Sequence, residues 1–122
     1  MKQWKFSQST GALTYGDEKV CVGYSGFGEG KCNPAKECEH NVGPIPKGVY
    51  MIGAARNTDS HGPVVMPLAP MPYTNTFGRS GFLIHGDSVT APGTASHGCI
   101  ILPRKVRERM SASLDRTIEV VG

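Results

Sequence analysis

One thiol and two imidazoles stand close together between Phe82 and Leu102, in the segment FLIHGDSVTAPGTASHGCIIL. His85 closes a short apolar run, and Ser96-His97-Gly98-Cys99 leads into the next one. A thiol near its free pKa is only a few per cent thiolate at neutral pH. Lowering that pKa from about 8.5 to about 6 takes roughly 3.4 kcal/mol of preferential stabilisation of the anion, which a nearby imidazolium can supply. His97 and Cys99, with only Gly98 between them, point to the same side of an extended backbone. Gly98 allows close backbone approach and leaves amide donors near Cys99 free to face an oxyanion. His85 lies 14 residues before Cys99, at the end of an adjacent strand, and a loop of this length can set it opposite the thiol. Gly86 permits a tight exit from that strand. The chemistry implied is nucleophilic: Cys99 attacks, His85 acts as base, and no cofactor is needed.

Zinc is the main chemical competitor, since His85, His97 and Cys99 could supply three ligands. The His-x-Cys spacing is not that of common zinc motifs, so the site is read as metal-free. Cys32, Cys38 and His40 form a second, weaker candidate set. Cys32 and Cys38 could instead form a disulfide, worth roughly 2 kcal/mol for so short a loop, or stay reduced. Cys21, in Val20-Cys21-Val22, reads as a small core hydrophobe. His61, beside Gly62 and Pro63, reads as a surface turn residue. Asp87 could orient His85, although neighbours in sequence seldom face each other on a strand.

The elements that must position these groups are mostly strands. Residues 3–8 alternate Trp4 and Phe6 with polar neighbours. Ala12–Tyr15 returns as a hairpin partner after Ser9-Thr10-Gly11, and Lys19–Tyr24 is a third strand. Residues 25–42 form a long irregular stretch suited to binding. Gly43-Pro44-Ile45-Pro46-Lys47-Gly48 is a rigid turn. Strands are expected at 49–54, 63–68, 80–85, 99–102 and 117–121, with a turn at 57–62 and a second long loop at 70–78. One helix starts near Pro103, with Val106, Met110 and Leu114 as its apolar stripe. Arg104, Lys105, Arg107 and Arg109 should cover its solvated faces.

With 122 residues, 16 Gly and 9 Pro, the chain reads as one domain, 1–122, mainly β with one short C-terminal helix. A net charge of +3 without a clustered basic surface argues against nucleic acid as partner. No apolar stretch is long enough for a transmembrane segment. The N-terminal MKQWKFSQSTG lacks the apolar region of a signal peptide, so synthesis in the cytoplasm and another export route are expected.

SHGC preceded by the IHG histidine resembles the signature of YkuD-type L,D-transpeptidases. The resemblance narrows with Trp4, Thr10-Gly11, Tyr24-Ser25-Gly26, Asn33-Pro34, Gly43 to Gly48 (GPIPKG) and Gly78-Arg79-Ser80-Gly81-Phe82. Together these are similar to the L,D-transpeptidase-like antibacterial effectors of type VI secretion, across nearly the whole chain. The resemblance implies an L,D-transpeptidase-like β-sandwich or barrel. It implies a toxin delivered to the target-cell periplasm that acts on peptidoglycan stem peptides, by L,D-carboxypeptidase cleavage or by exchange with a D-amino acid acceptor. A cognate immunity protein is the implied partner. By position, Cys99 matches the nucleophile and His85 the base. His97, Ser96 and Gly98 match the motif that shapes the pocket and oxyanion site, with Gly86 counted beside them. Arg79 is a candidate for holding a substrate carboxylate. Many relatives carry a polar Arg or Asn two residues after the nucleophile. Here that residue is Ile101, so Arg79, Arg104 or Arg107 would have to take over that contact. A sortase-like transpeptidase fits less well, given the short His85–Cys99 spacing. A non-catalytic peptidoglycan- or zinc-binding module is the reading outside enzymes.

Overall fold

The computed structural model describes residues 3–122. Met1 and Lys2, part of the N-terminal stretch read for a signal peptide, lie outside the described residues. Among the described residues ten strands run β1 (Trp4–Ser7), β2 (Ala12–Tyr15), β3 (Glu18–Val22), β4 (Tyr24–Ser25), β5 (Gly48–Ile52), β6 (Arg56–Thr58), β7 (Gly62–Pro70), β8 (Leu83–His85), β9 (Ile100–Ile101) and β10 (Thr117–Val121), with one α-helix, α1 (Arg104–Ala112). The sheet order is β3-β2-β1-β10-β5-β7-β8-β9-β4, and β6 pairs with β7. The outer members of that order, β3 and β4, are joined through Gly23 alone. A sheet whose two ends are consecutive in the chain must curl back on itself, so the fold is a nearly closed, barrel-like sheet. Gly11 and Gly23 allow the seam: a Cβ on Gly11 would lie 1.9 Å from Gly23 O, and one on Gly23 would lie 2.0 Å from Ile101 O.

The interior holds Trp4, Phe6, Leu13, Tyr50, Met66, Ile84, Ile100, Met110 and Ile118, all buried. Cys21 packs partly buried against this core, in the role expected of it. Trp4 and Phe6 supply the inward face of β1 by simple alternation. Tyr50 and Phe82 meet edge to face at 5.8 Å and tie β5 to the segment leading into β8.

Several expected elements are redrawn. The strand read over 19–24 divides at Gly23: β3 pairs with β2 and β4 with β9. The turn read at 57–62 is a hairpin in which polar Arg56–Thr58 pairs with β7, and β7 continues to Pro70. Residues 80–82 are not strand, because Gly81 (φ 76) turns the backbone away from the β region. The helix ends at Ala112, and Leu114 is 97% exposed and so leaves the apolar stripe. Arg116 stops the helix by donating to the Met110 and Ser113 carbonyls, at 3.0 and 3.3 Å. Arg107, expected on a solvated face, is only 5% exposed and fills the inner side instead. Among the described residues no helix is long and apolar enough to cross a membrane.

Candidate active site

Strands β8 and β9 are hydrogen-bonded in parallel, with Ile84 opposite Ile100 and His85 opposite Ile101. Ile84 and Ile100 are fully buried in the core. Alternation therefore sends His85 to the other face, and Cys99, the residue before Ile100, emerges on that same face beside Leu83. Strand spacing puts the Cα atoms of His85 and Cys99 about 8 Å apart. The loop between them is held by Asp87, which accepts from Tyr24 Oη at 2.6 Å, from Ser88 N–H at 2.8 Å and from Gly93 N–H at 3.0 Å. Tyr24 Oη in turn accepts from Ala95 N–H at 2.9 Å. Asp87 thus braces the loop and makes no hydrogen bond to His85.

The histidine is 3% exposed, and its Nδ1 meets Gly86 O at 2.8 Å. A carbonyl can only accept, so Nδ1 carries the proton and Nε2 keeps the lone pair. Burial lowers the His85 pKa below 6.5 and keeps the ring neutral. Burial pushes the Cys99 thiol up, while the Leu83 backbone N–H and the Arg79 charge act in the opposite direction. The resting pair is a thiol and a neutral imidazole, not the ion pair expected from the sequence: desolvation outweighs the nearby donors. Cys99 Sγ donates to Gly81 O at 3.9 Å.

The two groups open onto different concavities. Cys99 lines one of about 220 Å³ with His40, Asn41, Arg79, Phe82 and His97. His85 lines one of about 630 Å³ with His61, Gly86, Asp87 and Arg107.

The SHGC motif forms a tight loop. Ser96 is fully buried; its Oγ donates to Cys99 O at 2.6 Å and accepts from Gly26 N–H at 2.9 Å and Gly98 N–H at 3.1 Å. The Gly98 amide, expected to face an oxyanion, is therefore occupied by Ser96. Gly98 adopts φ 135, and a Cβ there would lie 2.4 Å from Arg79 Nη2. Both facts require glycine. His97 is exposed; its Nδ1 meets Asn41 O at 3.0 Å and its ring stacks on Phe27 at 4.9 Å. It turns toward the 25–42 loop, not toward His85.

Arg79 is 5% exposed. Its Nη1 donates to Glu37 O at 2.6 Å and Pro44 O at 2.8 Å, and its Nη2 to Gly43 O at 2.9 Å and His97 O at 3.3 Å. Both ends of the fork are committed to backbone, which leaves no paired donors for a substrate carboxylate. Arg79 instead ties the 37–44 loop to the SHGC loop. Cys32 and Cys38 are free thiols, so the disulfide open to them is not formed. Cys32 adopts φ 55 and donates its N–H to Ser25 O at 3.0 Å. Among the described residues no three His, Cys, Asp or Glu side chains form a metal-binding group.

Two further side chains stand beside His85: His61, read from the sequence as a surface turn residue, and Arg107, named there as one of three arginines that could take over a carboxylate contact. His61, on the β6–β7 turn, places its ring 4.6 Å from that of His85. Arg107 reaches the same concavity from the first turn of α1. An exposed turn histidine carries no local signal of such a position, and nothing in the local sequence separates Arg107 from Arg79 and Arg104.

The Tlde1 domain model matches residues 19–121. The chain belongs to the Tlde1 domain family. The type VI effector, L,D-transpeptidase-like identity suggested by the sequence is therefore its family. Among solved structures, the Ldtfm–avibactam carbamoyl enzyme is similar, with a TM-score of 0.58 and 17% identity over 99% of this chain and 49% of that one. The fold is shared with an L,D-transpeptidase, and the chain spans about half the length of that protein. No curated protein matches the chain. This Tlde1-domain chain has a transpeptidase-like fold.

Proposed function

We propose that the protein is a cysteine peptidyltransferase that trims or exchanges the terminal D-residue of peptidoglycan stem tetrapeptides. The observation that carries this reading is the placement of Cys99 and His85 on one face of two hydrogen-bonded parallel strands, with Nε2 of His85 unprotonated. Substrate binding brings the scissile amide between them. His85 Nε2 takes the thiol proton, directly or through one water, as Cys99 Sγ attacks the carbonyl carbon. Catalytic contacts that are loose in a free enzyme commonly tighten in the complex. The tetrahedral species collapses to a thioester, and the proton on His85 passes to the departing amine of the D-residue. Water then attacks the thioester to give a shortened peptide, or the amine of a D-amino acid attacks to give an exchanged one. Either attacking group yields its proton to His85, and the thiol is regenerated.

In this account Ser96, Gly98 and Arg79 shape the thiol's loop, and His97 forms the rim of its concavity. Trimming or exchange removes donors needed for wall cross-linking, which makes the protein an antibacterial toxin in the target-cell periplasm. A producer of such a toxin needs a cognate immunity protein. The test is mass spectrometry of tetrapeptide muropeptides incubated with the protein and a D-amino acid. Tripeptide and exchanged tetrapeptide are expected. No product from the native chain, or full activity from Cys99→Ala, would overturn the reading.

A further inference from the structure

Arg107 is a buried cation with unused donors, and it stands on the imidazole side of the site. Its Nε donates to Leu102 O at 3.0 Å, and its Nη1 to Pro63 O at 2.6 Å and Val64 O at 3.1 Å. Among the described residues, Nη2 meets no acceptor. These three carbonyls fix the guanidinium, so its open edge is directed rather than free to rotate. Nη2 lies against Gly86, where a Cβ would come within 2.7 Å of it. Gly86 therefore keeps that edge clear, although its own φ is not in the left-handed region. Among the described residues Arg107 forms no ion pair, and Asp87, in the same concavity, is engaged by Tyr24, Ser88 and Gly93. A fixed guanidinium whose Nη2 keeps its N–H donors without an acceptor suits a carboxylate oxygen.

We propose that Arg107 Nη2 binds the α-carboxylate of the terminal D-residue, so that the concavity of His85, His61 and Arg107 holds the departing and the incoming D-amino acid. This rests on the peptidyltransferase reading above. The departing amine must receive its proton from His85, so the D-residue must lie on the His85 side of the scissile bond. Its carboxylate is one carbon removed from that amine. The residue adjoining His85, Gly86, is the one Nη2 touches. Release and exchange pass through the same place in opposite directions, so one anchor serves both. The assignment also accounts for Ile101: the polar contact missing two residues after Cys99 is supplied from α1. His61, 4.6 Å from the His85 ring, forms the wall over the bound amino acid.

The test is titration calorimetry on Cys99→Ala protein, which binds without turnover, using a stem tetrapeptide and its C-terminal carboxamide. The free acid is expected to bind about ten- to a hundred-fold more tightly, the range of a hydrogen-bonded charge pair. Adding Arg107→Gln should abolish that preference and leave carboxamide affinity within about threefold. Adding Gly86→Ala, which displaces Nη2, should reduce it. Equal affinity for acid and carboxamide in the Cys99→Ala protein would overturn the carboxylate assignment and leave the stem-peptide reading intact, without relying on a variant that might not fold. A preference that survives in folded Arg107→Gln protein would also overturn it. Binding of neither peptide would count against the stem-peptide reading itself, and against this inference with it.

Discussion

The two sides of the β8–β9 pair are built around two arginines buried to the same extent, each 5% exposed, yet used differently. On the thiol side, Arg79 commits both ends of its fork to four carbonyls. On the imidazole side, Arg107 commits Nε and Nη1 to three carbonyls and leaves Nη2 open. Desolvating a guanidinium is costly, so each must be compensated. Arg79 is compensated by the fold itself and fixes the loop that carries Cys99. Arg107 is compensated in part, and a ligand completes it. Burial and charge alone do not separate a brace from a binding group; the tally of donors does.

That contrast can be broken or sharpened in order of effect. The largest change should come from the reacting pair. Cys99→Ala and His85→Ala should each lower turnover of muropeptides by at least about a thousandfold while leaving the folded chain intact. A His85→Ala protein within tenfold of native activity would remove the imidazole side from the chemistry. Next, Arg79→Met should cost about 3–5 kcal/mol in denaturant unfolding, because it strips donors from four carbonyls at once. Arg79→Lys should recover only part of this, since one ammonium cannot span the fork's partners. A stable Arg79→Met protein with weakened substrate binding would reverse the roles given to the two arginines. Gly98→Ala should cost about 1–3 kcal/mol through its positive φ and the collision with Arg79.

Acidity separates the sides as well. The acid limb of kcat/KM reports the base of the free enzyme. Burial lowers the His85 pKa, so activity should rise with pH through a midpoint below 6.5. The same shift makes the unfolded chain bind a proton that the folded one refuses, so the His85 contribution to stability falls as pH drops below 6.5. An acid limb centred above about 7 would contradict a buried, neutral base. The smallest effect is expected at His97, which faces solvent and Asn41: His97→Ala should stay within about tenfold of native turnover.

Much of the fold was legible from local pattern. Trp4 and Phe6 alternate, Pro103 marks a helix start, and the β-branched Thr117–Val121 forms a strand, because each signal is carried by neighbouring residues. The division at Gly23 was not legible, since it comes from closure of the sheet, which pairs β3 and β4 with different partners. The Arg56–Thr58 strand was hidden because its polar side chains show no alternation and only its backbone pairs. In the candidate site, the placement of Cys99 and His85 on adjacent strands could be read from motif and spacing. Their protonation could not: the sequence shows an imidazole near a thiol, while burial decides that both rest neutral. Arg79 and Arg107 look alike as letters, and only the carbonyls around them distinguish their work. Leu114 failed as a core residue because the helix, capped by Arg116, ends two residues before it.

The central claim is that Cys99 becomes acylated by the peptide it cleaves. Intact-protein mass spectrometry after rapid acid quench of the protein with a stem tetrapeptide tests this directly. The account predicts a mass increase equal to the tetrapeptide less the free D-amino acid released, mapped to Cys99 and absent in Cys99→Ala. Turnover of the tetrapeptide that continues in Cys99→Ala, or an acyl group mapped to another residue, would contradict it.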